Sequence, residues 1–380
     1  MTMPAPLSPS ADPAGTAGQP LTIAMVAPPW FEVPPAAYGG IEELVADLVD
    51  GLVERGHRVT LIGAGRNRTR AQRFVPVYPD PPSSRLGEPV PEVVQAAAAA
   101  RAILDDDPDV VHDHTLAGPL LARGRTVPTV VTAHRSVDGD VRRYLRDLGA
   151  TIDLVAISDA QQRLAPELNW VGTVHNAVDV ATFPFRVDHD GYVLFMGRFS
   201  PEKGPHLAIE AARAAGWPLL LAGKCTEPAE QAYFAEAIAP RLGPDVRYVG
   251  EADAARKRQL YAGAAGLVFP ITWEEPFGMV MIEAMACGTP VVALRRGSVA
   301  EVVVHGRTGL VVDAPEELPA ALAGVRAIDP LECRDHVAER FHADVMVEGY
   351  ERLYRALTEA RALHSSGEVH LSQTGELTLG

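Results

Sequence analysis

Glu275 and Glu283 stand eight residues apart in Glu275-Pro-Phe-Gly-Met-Val-Met-Ile-Glu283-Ala-Met-Ala-Cys-Gly-Thr-Pro-Val-Val. An apolar run, Gly266-Leu-Val-Phe-Pro270, precedes them and reads as a strand. Gly278 opens a short helix that Gly288 ends. At about 1.5 Å of rise per residue, Glu283 lies roughly 7–8 Å along the axis from Gly278. Glu275 falls outside the helix, just before its N-terminus. One carboxylate therefore stands at the mouth of a helix dipole and the other along its side. The helix mouth between them suits a diphosphate, and a carboxylate at each end accepts hydrogen bonds from hydroxyls. A ligand with hydroxyls at both ends and a diphosphate in the middle is a nucleotide sugar.

Further polar groups occur at the ends of apolar runs. Gly197-Arg198-Phe-Ser-Pro-Glu-Lys203-Gly204 follows the run ending at Met196. Arg198 and Lys203 can neutralise a diphosphate, one as a planar fork and the other as a point charge. Pro28-Pro-Trp-Phe-Glu-Val-Pro-Pro-Ala-Ala-Tyr-Gly39-Gly40-Ile41-Glu42 follows the run Leu21–Ala27. Gly39 and Gly40 let backbone approach a ligand closely. The Pro- and aromatic-rich stretch before them is longer than an ordinary βα loop and is expected to help form an acceptor pocket. His134 ends Val131-Thr-Ala-His134. His112 and His114 share one face of a strand, a spacing that also suits a metal; hydrogen bonding at a strand end is the expected role, and no metal is assigned.

Thirteen short apolar or β-branched runs position these groups. Seven lie in the N-terminal half, at Leu21–Ala27, Arg58–Gly63, Arg73–Tyr78, Asp109–His112, Thr129–Ala133, Asp153–Ile157 and Gly172–His175. Six follow, at Tyr192–Met196, Pro218–Ala222, Val246–Val249, Leu267–Phe269, Pro290–Ala293 and Leu310–Val312. Such runs read as buried parallel strands. Helical periodicity separates them, as in Ile41, Leu44, Val45, Leu48 and Leu52 before Gly56. Alternating β and α elements in two halves predict an α/β protein of two doubly wound domains. Each candidate group then sits at the carboxyl end of a strand, where such sheets bind ligands. The irregular segment Ala181–Asp190 reads as the linker, with domains at 21–183 and 184–340. A final helix, roughly 345–363, carries Met346, Val347, Tyr350, Leu353, Tyr354 and Leu357. Residues 1–20 and 364–380 read as disordered tails.

Composition excludes several classes. The net charge of −15 opposes nonspecific nucleic-acid binding and supplies no polybasic patch for anionic lipid, although a local membrane contact stays open. No apolar run approaches the length of a membrane span, and the N-terminus lacks a signal peptide's basic and apolar regions. Cys225, Cys287 and Cys333 are too dispersed for a zinc site or disulfide framework and suit a reducing, cytoplasmic setting. Gly63-Ala-Gly65-Arg-Asn-Arg68 lacks the third glycine of a dinucleotide fingerprint, and no Walker, G-x-S-x-G or H-E-x-x-H motif occurs.

The Glu275–Glu283 segment resembles the E-x7-E signature of family 4 glycosyltransferases, which have the GT-B fold of two Rossmann-like domains facing a cleft. The resemblance runs from about Thr22 to Leu357. It implies that Glu283 binds the nucleotide ribose and that Glu275 lies near the donor sugar. Phe277, Gly278 and Met279 at the helix mouth join the implied donor site. Gly197–Gly204 matches a G-R-x-x-x-x-K-G segment, so Arg198 and Lys203 would meet the diphosphate. Gly39 and Gly40 match a glycine loop facing that diphosphate, and His134 matches a histidine touching the sugar. Glu251 falls at a turn where the family holds the base. The implied enzyme is a retaining glycosyltransferase using a uridine-linked donor, without metal or other cofactor. The resemblance also implies that the residue 341–363 helix crosses back to the first domain.

Two positions depart from the family pattern. Asn176-Ala177-Val178-Asp179 has Ala177 where glycine is common, and Cys225 replaces a second glycine after Gly223. The segment Tyr38–Glu42 resembles the branch that glycosylates small molecules such as antibiotics and pterins; polysaccharide and lipid acceptors stay open. A nucleotide-sugar 2-epimerase of the same architecture and a non-catalytic nucleotide-sugar-binding module are the alternative readings. A GT-B phosphorylase would need a pyridoxal-binding lysine context that the chain does not show.

Overall fold

The computed structural model describes residues 19–36 and 39–371. Of the tails expected at 1–20 and 364–380, residues 1–18 and 372–380 lie outside the described residues, as do Ala37 and Tyr38 of the glycine loop.

All thirteen runs form strands. The N-terminal sheet holds β1 (Thr22–Val26), β2 (Arg58–Ala64), β3 (Arg73–Tyr78), β4 (Val110–Asp113), β5 (Thr129–Thr132), β6 (Asp153–Ala156) and β7 (Trp170–Thr173). Its order is β3-β2-β1-β4-β5-β6-β7. The C-terminal sheet holds β8 (Tyr192–Met196), β9 (Leu219–Ala222), β10 (Val246–Tyr248), β11 (Ala264–Phe269), β12 (Val291–Leu294) and β13 (Gly309–Val312), in the order β10-β9-β8-β11-β12-β13. Every strand pairing is parallel. Strands such as β4, β5, β9 and β12 are buried along their whole length, which is why their sequences do not alternate. Strand order reverses at β1/β4 in one sheet and at β8/β11 in the other, and ligands bind at such switch points. β7 begins two residues before the sequence-based start. A register irregularity opposite Leu154 and Val155 accommodates the shift and leaves His175 beyond the strand.

The crossover helices of the first domain are α1 (Gly40–Glu54), α2 (Pro89–Asp106), α3 (Gly139–Leu148) and α4 (Asp159–Leu164). Those of the second are α5 (Pro205–Ala214), α6 (Pro228–Tyr233), α7 (Ala254–Gly263), α8 (Met279–Ala286), α9 (Val299–Val302), α10 (Leu318–Gly324) and α11 (Pro330–Arg340). The linker is tied to the second domain. Arg334 donates to the carbonyls of Val180 at 3.0 Å, Phe183 at 2.9 Å and Ala286 at 2.6 Å.

α12 (Ala343–Leu371) packs against α1. Met346, Val347, Tyr350 and Tyr354 join the N-terminal core. Each such burial is worth about 1.5–3 kcal/mol for an aliphatic or aromatic side chain. Gly51 in α1 lets α12 approach, since a Cβ there would lie 2.5 Å from Val347 Cγ2. The helix runs past residue 363, where the sequence suggested a tail. Helix propagation from an anchored segment is far cheaper than nucleation, so a polar stretch can continue it.

Ala177 does not need a left-handed conformation. Asp107 is the only non-glycine residue with positive φ among the described residues. Ala177 is buried, and its neighbour Val178 bridges to His342 at the start of the returning chain.

Candidate active site

The β8 and β11 loops are joined at Gly204. It caps α5 at φ 70°, and a Cβ there would fall 2.2 Å from the Pro270 carbonyl oxygen. Only glycine allows that approach. Beside it, Thr272 N donates to the Glu202 carbonyl at 2.9 Å. The seam sets Lys203 Nζ 2.5 Å from Glu275 Oε2. Trp273 Nε1 donates to the same oxygen at 3.1 Å, and the Lys203 ammonium lies 4.8 Å from the Trp273 ring centroid. Both members of the pair are largely buried, at 17% and 11% side-chain exposure.

The far side of the Glu275 loop rests on Gly297 and Ser298. Gly297 has φ 51°, and a Cβ there would sit 2.2 Å from the Glu275 carbonyl oxygen. Ser298 N donates to that oxygen at 3.0 Å, and Ser298 Oγ to the Phe277 carbonyl at 2.8 Å. Gly278 caps α8 at φ 77°, against the Phe269 ring. Phe277 was expected at the donor, but its ring belongs to the core: it is 2% exposed and meets the Phe341 ring at 5.8 Å. Met279 is half-buried beside the same core.

Glu283 is 7% exposed on α8 and already engaged. Lys257 Nζ lies 2.6 Å from its Oε1, and the Tyr261 hydroxyl donates to Oε2 at 2.8 Å. Lys257 and Tyr261 were not picked out from the sequence. Their spacing of four on α7 puts them on one helix face, and that was the available signal. Burial, with the Glu283 charge beside it, pushes the Tyr261 hydroxyl well above its ordinary pKa, so it stays a donor.

Arg198 stands 3.8 Å from Glu230 Oε1 with its side chain 45% exposed. Glu230 is 3% exposed on α6, and its other oxygen takes the Thr226 and Glu227 amides. Gly223, at φ 146°, lets the β9 loop touch the β8 loop, since a Cβ there would lie 1.9 Å from the Gly197 carbonyl. Cys225 at the departing position packs partly against the β8–β9 core as a free thiol.

Two cavities take in some of the expected residues. One of 660 Å³ lies between the domains, with Phe31, Ser83 and Ser84 on one side and Lys224, Glu227 and Glu251 on the other. Of the expected donor residues, this one takes Glu251. The second, of 200 Å³, lies in the N-terminal domain and takes Gly39, Gly40 and His134 together with Trp30, Glu42 and Tyr144. The chain thus gathers the expected residues into a C-terminal set and an N-terminal set, and does not put all of them against one cavity.

The histidines form a chain. His134 Nε2 lies 2.8 Å from His114 Nδ1. Burial drives the His134 pKa down to about 3, and that of His114 well below its usual value, so both rings are neutral near pH 7. His112 bonds Tyr354 at 2.6 Å and Thr132 at 2.8 Å, and Thr132 bonds Tyr350 at 2.8 Å. His112 therefore anchors α12 to the first sheet.

The domains also meet through Glu301 of α9. Its carboxylate accepts from the Asp159 and Ala160 amides at the mouth of α4, at 2.8 and 3.1 Å, and lies 2.5 Å from His175 Nε2. Sequence reasoning missed this contact; no local pattern joins residues so far apart.

Two separate parallel sheets, each with polar loops at its switch point, define a two-domain, doubly wound α/β fold. Family models match in both halves: Glycosyltransferase Family 4 over residues 38–184 and Glycosyl transferases group 1 over residues 183–331. The D-inositol 3-phosphate glycosyltransferase of Acidothermus cellulolyticus is 30% identical, across 92% of this chain and 94% of that protein. The phosphatidyl-myo-inositol mannosyltransferase of Mycolicibacterium smegmatis is 28% identical, across 85% and 89%. The crystal structure of AviGT4, a glycosyltransferase involved in avilamycin A biosynthesis, matches with a TM-score of 0.69 at 28% identity, across 90% and 98%. Anabaena HepE in complex with UDP and glucose matches with a TM-score of 0.69 at 20% identity, across 89% and 100%, and shares the fold. The chain belongs to glycosyltransferase family 4 and is a GT-B glycosyltransferase. No helix among the described residues is long and apolar enough to cross a membrane.

Proposed function

We propose that this glycosyltransferase moves a sugar, with retention, from a nucleoside diphosphate sugar to an acceptor hydroxyl. The observation that carries the reading is the Lys203–Glu275 contact, built from the loops after β8 and β11 at the switch point of the C-terminal sheet. A cation there can turn from Glu275 to a phosphate, leaving the carboxylate for a sugar hydroxyl.

In this reading the bond from the sugar C1 to the diphosphate oxygen breaks as C1 bonds to the acceptor oxygen. The acceptor proton passes to the leaving phosphate, and the products are glycoside and nucleoside diphosphate. Retention follows from same-face attack, as the family resemblance implies. Arg198, Lys203 and the mouths of α5 and α8 stabilise the charge that develops on the leaving group. Glu283 holds the ribose diol, Glu251 lies by the base, and Glu275 and His134 orient the sugar. Closure of the domains excludes water that would hydrolyse the donor. No metal or other cofactor enters this scheme, and a cytoplasmic setting suits the three free thiols.

The donor is proposed to be uridine-linked, and UDP-glucose is the first to test because a protein of the same fold binds it. The experiment incubates the chain with UDP-glucose, UDP-galactose, GDP-mannose and a set of acceptors. It follows nucleoside diphosphate release and the anomeric configuration of the product by NMR. Diphosphate release with a retained anomer supports the reading. An inverted product removes retention, and conversion of donor to its epimer without diphosphate release replaces transfer with epimerisation. The relatives named above are transferases, which favours transfer.

A further inference from the structure

Glu230 is 3% exposed on α6, and its two oxygens differ. Oε2 accepts the Thr226 amide at 3.2 Å and the Glu227 amide at 3.4 Å, which closes the turn that starts α6. Oε1 is buried and, among the described residues, makes no hydrogen bond. Leaving a buried carboxylate oxygen without a donor is costly, and the start of α6 needs only the other oxygen.

Arg198 can supply what Oε1 lacks. Its Nη1 lies 3.8 Å away, beyond hydrogen-bond range. A closing of about 1 Å would bring it to the 2.7–2.9 Å of a charge-assisted hydrogen bond. The fold ties both residues to the same place. Gly223 sets the β9 loop on the Gly197 carbonyl, next to Arg198, since a Cβ there would lie 1.9 Å away. The Tyr248 hydroxyl donates to the Gly223 carbonyl at 3.0 Å. Tyr233, at the end of α6, bonds His206 of α5 at 2.6 Å, and α5 follows the Arg198 loop. Glu230 is therefore held in place, while the exposed Arg198 side chain has room to move.

We propose that Glu230 is a positioning residue: its Oε1 takes up the Arg198 guanidinium when the donor binds and so aims that cation at the diphosphate. The inference rests on the phosphate role given to Arg198 above and names the residue that orients it. A guanidinium carries five N–H donors in one plane, so one edge can bond Glu230 while another forks onto phosphate oxygens. A long side chain fixed in this way has less rotamer freedom left to lose as the ligand is held. Glu230 is buried and Arg198 exposed, which puts the cation between the carboxylate and an incoming diphosphate.

The test is a double-mutant cycle on the full chain, with UDP and GDP as calorimetric probes and thermal midpoints measured in parallel. Glu230→Gln keeps an oxygen for the Thr226 and Glu227 amides and removes the charge that meets Arg198. The better-bound diphosphate should bind E230Q about ten-fold more weakly than wild type, with the midpoint within a few degrees. In an Arg198→Ala background E230Q should change affinity less than about two-fold, because no guanidinium is left to orient. A residue that only caps α6 would lower the midpoint and act equally in both backgrounds, and that result overturns the proposal. Unchanged binding in E230Q overturns it, and so does tighter binding, which would mean that repulsion between carboxylate and diphosphate dominates. Glu230→Asp keeps the charge one methylene short and should fall between wild type and E230Q, so the cycle is readable even where E230Q does not fold. Lost affinity in R198A with none lost in E230Q removes the role of Glu230 alone. Unchanged affinity in R198A, or no binding of either diphosphate to wild type, removes the phosphate role of Arg198 and this inference with it.

Discussion

Lys203 and Glu275, from loops after two adjacent strands of the C-terminal sheet, share an ion pair of 2.5 Å. The contact exists because Gly204 lets the β8 loop lie on the Pro270 carbonyl. Lys203 is proposed to exchange this carboxylate for a phosphate of the donor. Lys203→Ala should cut turnover by about 10²–10³, the scale for one charge-stabilising donor in a site. Circular dichroism should show the fold retained. Near-normal diphosphate release in the variant would remove the phosphate role.

Gly204 carries the seam, so its substitution should act on stability and activity together. Gly204→Ala puts a side chain at φ 70° and a Cβ 2.2 Å from a backbone oxygen that cannot swing away. Left-handed strain alone costs about 1–3 kcal/mol. Urea denaturation should show at least that loss. Gly40→Ala is the control, because a Cβ there meets nothing within 4 Å. Equal stability of the two variants would mean that the loop relaxes freely.

Glu283 is held by Lys257 and Tyr261, so a ribose would have to share or displace these partners. Glu283→Ala should weaken UDP binding by about 10–100-fold, the range for a hydrogen bond to a charged group. Calorimetry measures this directly, and unchanged affinity removes the ribose assignment. Lys257→Ala should have a smaller effect, since Tyr261 still orients the carboxylate.

Much of this arrangement was legible in the chain because parallel strands announce themselves locally. β9 and β12 are short apolar runs, and the loop after each strand is where a doubly wound sheet binds ligands. Arg198, Lys203 and Glu275 could therefore be placed at strand ends without coordinates. Their partners could not. Tyr261 reaches Glu283 only because α7 packs beside α8, and Glu301 reaches α4 only because the domains meet. Such contacts depend on tertiary packing, which local periodicity does not encode. The Phe277 ring shows another limit of a linear reading: its place in a motif beside Glu275 suggests a donor contact, and its aromatic size carries the ring itself into the core.

Glu301 joins the domains through a contact whose pH dependence has a definite sign. Burial pushes its pKa up, but hydrogen bonds from His175 and the Asp159 and Ala160 amides outweigh this and hold it below its ordinary value of 4.5. A depressed carboxylate pKa contributes stability that is fully present above the unfolded value and lost as pH falls through the folded one. The contact should therefore persist at neutral pH and fail only in acid, below the ordinary glutamate range. Hydrogen exchange at the Asp159 and Ala160 amides reads it locally. Protection should be steady from neutral pH down to the ordinary glutamate range and be lost below it. Glu301→Gln should lower the same protection at neutral pH, because a neutral amide oxygen is a weaker partner for a helix mouth than a carboxylate. Unchanged exchange in the variant would show that packing alone holds α9 against α4.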